Sequence, residues 1–423
     1  MKLRNKLLAL TGIALAFAAN TFAADPTATA YSFDQCRGSA LPYPAPERAY
    51  DYPDSLTPVF INHVGRHGAR YQSSPKHATT LMKALSMADS LGTLTPKGLR
   101  LKELTSEITA MSTGRWGALD SLGIAEQWGI AARMYANFPE VFGSGHVNAI
   151  SSYVPRCVMS MYSFLHQITR LDNRVEISAL SGRSFSPLLR FFELDADYRE
   201  FAAGDTWRRQ VADYFETQHA GDQLRKILGD NFDFSMINLR ETAMAEYSIV
   251  AGTAAVSLDV DPSEFYTLDE FNRVWQCFNL QQYLLRTAST LSAVPAQIAS
   301  PLLRDLISST DSAISDFDTK GRKGVALRFG HAETLMPLFS LIHLGGGYYL
   351  TNYFDTVGLH WHDFHLVPMA SNLQIILFKG PKGRNYVRFD LNEVPQELIP
   401  GKIYVEWEEA RTHLSRFIPL WAE

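Results

Sequence analysis

Short apolar runs with the length of β-strands alternate with helical patterns along the first part of the chain, and this alternation constrains the fold most strongly. Residues 58–64 form such a run between a proline and a glycine, as a buried strand does. Helical spacing of apolar residues follows over 123–138, a second strand pattern covers 146–152, and Pro155 then opens another helix. This order predicts an α/β layer with a largely parallel sheet.

The middle of the chain has a different character. From about residue 187 to 318 the patterns are helical with frequent charged faces, and no convincing strand interrupts them. Strand patterns resume later, at 325–329, 373–378 and 386–389. We therefore predict an α/β core that is interrupted by a mainly α-helical insertion. The predicted units are a catalytic core at 24–186 and 319–423 and an insertion domain at 187–318.

The N-terminal residues have the pattern of a secretory signal peptide. Basic residues precede an apolar run at 7–19, and small residues then precede Ala24. This pattern predicts a cleavable signal peptide at 1–23, and hence a periplasmic or secreted mature protein; a retained N-terminal anchor is the alternative. No later stretch approaches the roughly 20 apolar residues that a membrane span needs. The residues at 24–53 are predicted to form an irregular arm.

Charge and cysteine content exclude several classes of protein. The formal net charge is -5 and the pI is near 6.2, which argues against a general nucleic-acid binder, because affinity for the phosphate backbone comes from surplus Lys and Arg. Cys36, Cys157 and Cys277 are widely spread and form no CxxC pair. At most one disulfide can therefore form within the chain, and the pattern argues against a structural zinc site.

The segment RHGAR, at 66–70, follows directly on the first predicted strand. It places two guanidinium groups and an imidazole at the carboxyl end of a strand, where open α/β sheets bind ligands. Arg side chains hold phosphoryl oxygens in a fixed geometry, and an uncharged imidazole between them can attack phosphorus. Gly68 allows the backbone to approach the ligand closely. The alternative is a surface turn whose arginines pair with carboxylates.

Two further strand-to-helix junctions carry residues of the same chemistry. Arg156 lies at the start of the helix that follows the second strand, and a helix N-terminus is itself an anion site. At the third junction, within 328–334, His331 lies two residues before Glu333. A carboxylate in the first turn of a helix also interacts favourably with the helix dipole, which is the alternative explanation of Glu333.

These segments together resemble the histidine acid phosphatase branch of the phosphoglycerate-mutase-like superfamily. The family pattern is an N-terminal RHGxR, an Arg in mid-chain after a strand, and a C-terminal His followed by an acidic residue. Each has a matching position here, between Arg66 and Glu333. The His-Ala-Glu sequence at 331–333 is similar to that of multiple inositol polyphosphate phosphatases, whereas many other members have His-Asp. The resemblance implies a phosphoglycerate-mutase-like core.

The resemblance also implies roles for individual residues. His67 would be the nucleophile and Glu333 the proton donor. The groups that bind the transferred phosphoryl group would be Arg66, Arg70, Arg156 and His331. Fixed positive charges then neutralise the phosphoryl oxygens, so that no metal or other cofactor is implied. The expected activity is stepwise hydrolysis of inositol polyphosphates such as inositol hexakisphosphate, through a phosphohistidine intermediate and with an optimum on the acid side.

Other segments have weaker signals. Three histidines and an Asp lie within 360–365; a metal site and a loop with aromatic packing are the two interpretations, and we favour the loop. The basic run at 320–323 is predicted to be a solvated loop at the end of the sheet opposite the catalytic groups. Arg183, in a turn after a predicted strand, is predicted to bind substrate. Further basic residues that could line a substrate cleft are Lys76, Arg115 and Arg190.

Alternative functions share parts of this site. A broad-specificity acid phosphatase that acts on sugar phosphates would use the same residues, as would an intramolecular phosphate mutase, although a signal peptide argues against a mutase. A phosphosugar-binding protein without activity would be expected to lack the nucleophile or the proton donor, and both are present here. The order of phosphate removal and the oligomeric state are left open by the sequence.

Overall fold

The computed structural model describes residues 31–143 and 145–419. The predicted signal peptide at 1–23 lies outside these residues. The helices that precede the insertion are α1 Lys76–Ser90, α2 Pro96–Ser112, α3 Ser121–Asn137, α4 Pro139–Phe142 and α5 Pro155–Leu171. The strands are β1 Thr57–Arg66, β2 Gly145–Ser151, β3 Glu176–Ser181, β4 Lys323–Gly330, β5 Asn372–Lys379, β6 Asn385–Leu391, β7 Val394–Gln396 and β8 Val405–Glu406.

Between β3 and β4 the described chain is helical, as the sequence predicts. The insertion helices are α6 Ser186–Leu189, α7 Phe191–Leu194, α8 Ala196–Ala203, α9 Thr206–Thr217, α10 Leu224–Leu228, α11 Leu239–Ala251, α12 Leu268–Arg286, α13 Val294–Gln297 and α14 Ser300–Lys320. The remaining helices are α15 Ala332–Leu341, α16 Val357–His360, α17 Asp363–Leu366 and α18 Trp407–Ser415.

The described strands form one mixed sheet in the order β3-β2-β4-β1-β5-β6-β7, with β8 paired to β6. The four strands from β3 to β1 are parallel, whereas β5, β6, β7 and β8 pair antiparallel. The predicted α/β class is confirmed, and the antiparallel half is an addition that the strand patterns alone did not indicate. In the parallel half, Arg66 pairs with Gly330, and Ser151 pairs with Phe329. The carboxyl ends of β1, β2 and β4 are therefore level.

Local sequence signals explain where the helices around these strand ends begin. The Thr95 side chain accepts a hydrogen bond from the backbone N–H of Gly98 and so caps α2. Asp120 caps α3 in the same way through the N–H of Leu122. Pro155 occupies the first position of α5, where its missing N–H has no cost. Of these three helices, only α5 begins within a few residues of a strand end, that of β2.

Both faces of the sheet are covered by apolar residues. On one face, Ile61, Val147 and Phe329 pack in a cluster with buried side chains of α3 and α5. A second, larger cluster joins Val64 of β1 with apolar residues of α15 and of the insertion helices. The insertion therefore shares a core with the sheet, and the domain boundaries at 187 and 318 stay a prediction. Within the described chain, no helix is both long and apolar enough to cross a membrane.

His63 is a buried histidine in β1 whose environment favours its neutral form. Its ring packs against the rings of Phe164 and Phe329, at 5.6 and 5.2 Å between centroids. Neither ring nitrogen has a hydrogen-bond partner among the described residues. Burial, aided by the charge of Arg328, lowers the pKa of His63 to about 3. The folded protein therefore keeps this ring neutral where an unfolded chain would protonate it.

Replacing His63 with phenylalanine is expected to stabilise the protein in acid. An unfolded histidine takes up a proton below pH ~6.5 and the folded one only near 3, so stability falls as the pH falls between these values. At pH 4.5 the penalty is about 3 kcal/mol, which for a chain of this size corresponds to a Tm gain of about 3 °C in His63→Phe. Thermal unfolding at pH 4.5 and pH 8 measures this, with exposed His166→Gln as the control. An equal gain at both pH values would contradict the explanation.

Candidate active site

The structure brings the residues of the three predicted junctions together at the level ends of β1, β2 and β4. Arg66 is the last residue of β1, Arg156 lies in the first turn of α5, and His331 lies between β4 and α15. The rings of His67 and His331 are 5.7 Å apart between centroids. His67 is 3 % exposed and Arg66 is 4 % exposed, so this is not a turn on the surface.

The orientation of His67 leaves one ring nitrogen free for chemistry. Its Nδ1 lies 2.9 Å from the carbonyl oxygen of Gly68, and because a carbonyl can only accept, Nδ1 carries the proton. The lone pair is then on Nε2. Burial, together with the charges of Arg156, Arg66 and Arg70, lowers the pKa of His67 well below its usual value. The ring is therefore neutral, as a nucleophile must be, even in acid.

Backbone hydrogen bonds hold the loop that carries His67. The N–H of Gly68 donates to Ser160 Oγ of α5 at 3.1 Å, and the N–H of Ala69 donates to Glu126 Oε2 of α3 at 2.7 Å. A Cβ at Gly68 would lie 2.4 Å from the carbonyl oxygen of Gly123. The glycine predicted to admit a ligand is thus also required by the close contact with α3. No sequence motif marked Glu126.

Three arginines surround His67 with incompletely satisfied guanidinium groups. The Nε atoms of Arg66, Arg70 and Arg156 are buried and have no hydrogen-bond partner among the described residues. Burial lowers the pKa of Arg66 to about 10 and that of Arg70 to about 9, so both stay protonated at neutral and acid pH. Buried donors without acceptors are costly, and an anion with several oxygens would satisfy them.

His331 has more neighbours than the sequence indicated. Its Nε2 lies 2.6 Å from Nη1 of Arg190 and 3.1 Å from Oγ of Ser152. Burial lowers the pKa of His331 to about 3 against the opposing charge of Glu333, so the ring is neutral. Arg190, which the sequence could only suggest as a residue of the cleft, therefore contacts the catalytic cluster directly.

Arg183 lies at the edge of this group. Its guanidinium stacks on the ring of Tyr153 at 4.2 Å, and Arg190 stacks on the same ring at 5.2 Å. This shared aromatic ring connects Arg183 to the cluster, but no direct contact between Arg183 and His331 is present. Its role in binding substrate stays a prediction. Of the other suggested cleft residues, Arg115 packs over the ring of Tyr71 at 4.6 Å.

Glu333 lies in the first turn of α15 and faces an arginine from the insertion. Its carboxylate is 3.8 Å from Nη2 of Arg286, the last residue of α12, and the side chain is 37 % exposed. Burial raises the pKa of Glu333, but the positive charges around it, that of Arg286 foremost, outweigh burial and hold it at about 2. Without substrate this carboxyl is therefore ionised. No sequence signal pointed to Arg286, because it ends an ordinary amphipathic helix.

The histidine-rich segment at 360–365 joins α16 to α17 and is partly helical, so the predicted loop is wrong, although the predicted aromatic packing is present. The ring of His362 lies 5.1 Å from the rings of both Tyr31 and Phe364. Within the described residues, no group of three or more His, Cys, Asp or Glu side chains is arranged to hold a metal ion. Asp363 faces inward instead. The basic run at 320–323 lies at the start of β4, opposite the catalytic end, as predicted.

Comparison with known proteins supports the fold. No family model matches the chain. Human multiple inositol polyphosphate phosphatase 1 is 24 % identical over 415 residues, which cover 87 % of this chain and 82 % of the human protein. The multiple inositol polyphosphate phosphatase of Bifidobacterium longum, solved in complex with inositol hexasulfate, superposes with a TM-score of 0.77 at 18 % identity, over 92 % of this chain and 99 % of that one.

The phytase of D. castellii also superposes, with a TM-score of 0.71 at 16 % identity over 92 % of this chain and 86 % of that one. The fold is thus that of these phosphatase and phytase structures, as the motifs predicted. The resemblance to multiple inositol polyphosphate phosphatases in particular is confirmed. Each relative is by its name a phosphatase or a phytase, which confirms the predicted class of enzyme, the phosphoric monoester hydrolases.

Proposed function

We propose that the protein is a secreted phosphomonoesterase that hydrolyses inositol polyphosphates stepwise through a phosphohistidine intermediate. The observation that carries this proposal is the set of buried, unpartnered Nε atoms of Arg66, Arg70 and Arg156 around the free Nε2 of His67. A phosphoryl group offers the oxygens that these donors lack, and it offers phosphorus to the nucleophile. The relative solved with inositol hexasulfate supports the choice of substrate class.

In the first step, Nε2 of His67 attacks phosphorus while the bond from phosphorus to the ester oxygen breaks. The arginines balance the charge of the phosphoryl oxygens during transfer, and the neutral His331 forms a hydrogen bond with them. An inositol alkoxide is a poor leaving group, so Glu333 donates a proton to it. The carboxyl is ionised before substrate binds. A phosphate dianion placed beside it raises its pKa by like-charge repulsion and competes for the neighbouring arginines.

In the second step, water attacks phosphorus in phospho-His67, and Glu333, now ionised, accepts a proton from it. The bond between Nε2 and phosphorus breaks, and inorganic phosphate leaves with the imidazole neutral again. Each phosphoryl group is transferred twice, so we expect net retention of configuration at phosphorus. No step requires a metal ion, because guanidinium groups supply the charge that Mg²⁺ supplies in other phosphoryl-transfer enzymes.

Preference for a highly phosphorylated substrate is proposed to come from cations beyond the catalytic arginines. Arg190 contacts His331, Arg183 stacks beside it on Tyr153, and Arg286 approaches from the insertion. A substrate with several phosphates would contact more than one of these charges, and a monophosphate would not. A sugar phosphatase is the alternative. Secretion is proposed from the signal-peptide pattern at 1–23.

The test is a time course of products from inositol hexakisphosphate between about pH 4 and pH 7.5, with separation of the lower esters. We expect successive lower inositol phosphates and faster turnover than with glucose 6-phosphate. Alanine variants of Arg183, Arg190 and Arg286 should weaken the preference for inositol hexakisphosphate. Arg322→Ala, at the far end of the sheet, is their matched control and should leave the rates unchanged. Faster hydrolysis of the sugar phosphate would favour the alternative, and the absence of any phosphate release would exclude a phosphatase.

A further inference from the structure

The N-terminal arm and the segment after α17 both contact the phosphate-binding Arg66. Nη1 of Arg66 donates to the carbonyl oxygens of Ser39 and Val367, each at 2.6 Å. These two bonds use both hydrogens of Nη1. The remaining face of the guanidinium, which includes the buried Nε, is thus oriented by two carbonyls from distant parts of the chain. Whatever holds these carbonyls in place also sets the direction in which Arg66 presents its free N–H groups.

Asp363 connects the two segments. Its Oδ2 accepts a hydrogen bond from the backbone N–H of Ser39 at 2.8 Å, and its Oδ1 accepts one from Nε1 of Trp275 at 3.0 Å. Its own carbonyl oxygen accepts from the N–H of Val367 at 2.8 Å. Asp363 therefore contacts both segments: its carboxylate holds the N–H of Ser39, and its backbone carbonyl holds the N–H of Val367.

The arm is shaped to accept this carboxylate. Gly38 has φ of +58°, and a Cβ there would lie 2.8 Å from Oδ2 of Asp363. A side chain at this position would therefore push the carboxylate away from the Ser39 peptide, and the backbone conformation itself favours glycine. Asp363 is fully buried, and a buried carboxylate is tolerated because hydrogen bonds satisfy its oxygens.

We propose that Asp363 is a positioning residue whose carboxylate holds Arg66 in its phosphate-binding orientation through the Ser39 peptide. The proposal rests on the proposed function, since it assigns Asp363 a part in binding the transferred phosphoryl group. Asp363 itself does not touch the substrate. A displacement of about 1 Å in an oriented group can lower a rate by about 100-fold, so the effect on catalysis is expected to exceed the effect on folding.

The test measures the affinity for inorganic phosphate by calorimetry at pH 7, where Asp363 is ionised because burial raises its pKa only to about 6. Asp363→Ala should weaken phosphate binding about 10-fold. It should lower kcat on inositol hexakisphosphate about 10- to 100-fold, with a smaller change in KM. Trp275→Phe removes the other hydrogen bond of the same carboxylate and is the matched control; it should leave phosphate affinity within about 2-fold.

A double-mutant cycle separates positioning from a general structural role. In an Arg66→Ala background, Asp363→Ala should weaken phosphate binding less than about 2-fold further, because the group that it positions is gone. An equal loss in both backgrounds, or wild-type affinity in Asp363→Ala, would overturn the proposal. If Asp363→Ala does not fold, Asp363→Asn takes its place with the same expected dependence on Arg66, since its amide must face one of two N–H donors. If the wild type does not hydrolyse inositol hexakisphosphate, only the proposed function is contradicted. If the wild type does not bind phosphate, the proposed function and the positioning role of Asp363 are both contradicted.

Discussion

Replacing His67 with alanine is expected to lower kcat on inositol hexakisphosphate by about 10⁴-fold or more, because the reaction loses the only group proposed to bond to phosphorus. The surrounding arginines remain, so the variant should still bind inorganic phosphate. The substitution removes the Nδ1 hydrogen bond to the Gly68 carbonyl but no backbone contact of the loop. We therefore expect a folded protein with an occupied site and no turnover.

The phosphohistidine itself can be detected in the same experiment. Phosphoimidazoles are labile in acid, so rapid quenching into base followed by mass spectrometry of the intact protein should show one added phosphoryl group in the wild type. His67→Ala should show none. His166→Ala, an exposed histidine on α5, is the matched control and should keep both the adduct and the rate. Phosphate release that survives in His67→Ala would refute the nucleophile and the mechanism with it.

Replacing Glu333 with glutamine is expected to lower kcat on inositol hexakisphosphate by about 10²- to 10⁴-fold, the range for loss of a general acid. The defect should depend on the leaving group. A nitrophenolate leaves without a proton, so Glu333→Gln should release about one equivalent of nitrophenol from nitrophenyl phosphate in a burst. Slow turnover should follow, because hydrolysis of phospho-His67 still needs the base. Stopped-flow absorbance measures both phases.

The alternative explanation of Glu333, a carboxylate that merely stabilises a helix terminus, has its own matched control. Glu408 is exposed and occupies the first turn of α18, as Glu333 occupies that of α15. If the dipole interaction were its only role, Glu333→Gln and Glu408→Gln would both lose less than about 1 kcal/mol of stability and keep full activity. Full activity in Glu333→Gln would therefore contradict the proposed role of Glu333 as proton donor.

The pH dependence follows from the low pKa of the donor in the free enzyme. The carboxyl has a pKa of about 2 because the positive charges around it, that of Arg286 foremost, outweigh burial, and it must be protonated in the complex to act as an acid. The pKa seen in kcat, which reports the complex, should therefore lie above that seen in kcat/KM, which reports the free enzyme. Arg286→Ala removes a positive charge and should move the Glu333 limb of the kcat/KM profile to higher pH.

The positions of the strands and of most site residues could be predicted because their signals are local. The apolar run at 58–64 lies within β1, and Pro155 starts α5 as predicted. Parallel strands align their carboxyl ends, so residues after β1, β2 and β4 had to come together once the sheet class was recognised. The antiparallel order of β5 to β8 was not predictable in this way, since apolar runs do not record the direction of pairing.

Contacts between distant segments could not be predicted. Glu126, Arg190 and Arg286 lie in ordinary helical or loop sequence and enter the site only because α3, the segment before α7 and the end of α12 pack around it. Asp363 was visible only as part of a histidine-rich segment with a metal-like composition. Its inward orientation depends on Trp275 and Ser39, which are far away in the chain.

What the amino-acid sequence determines by itself is the set of groups for the proposed chemistry: an imidazole, three guanidinium groups and a carboxyl, each at a strand-to-helix junction. Short-range spacing encodes these features. The tertiary structure alone decides their protonation states, because the burial of each group and the charges near it depend on residues from the whole chain. Burial and charge together keep His67 neutral and Glu333 ionised.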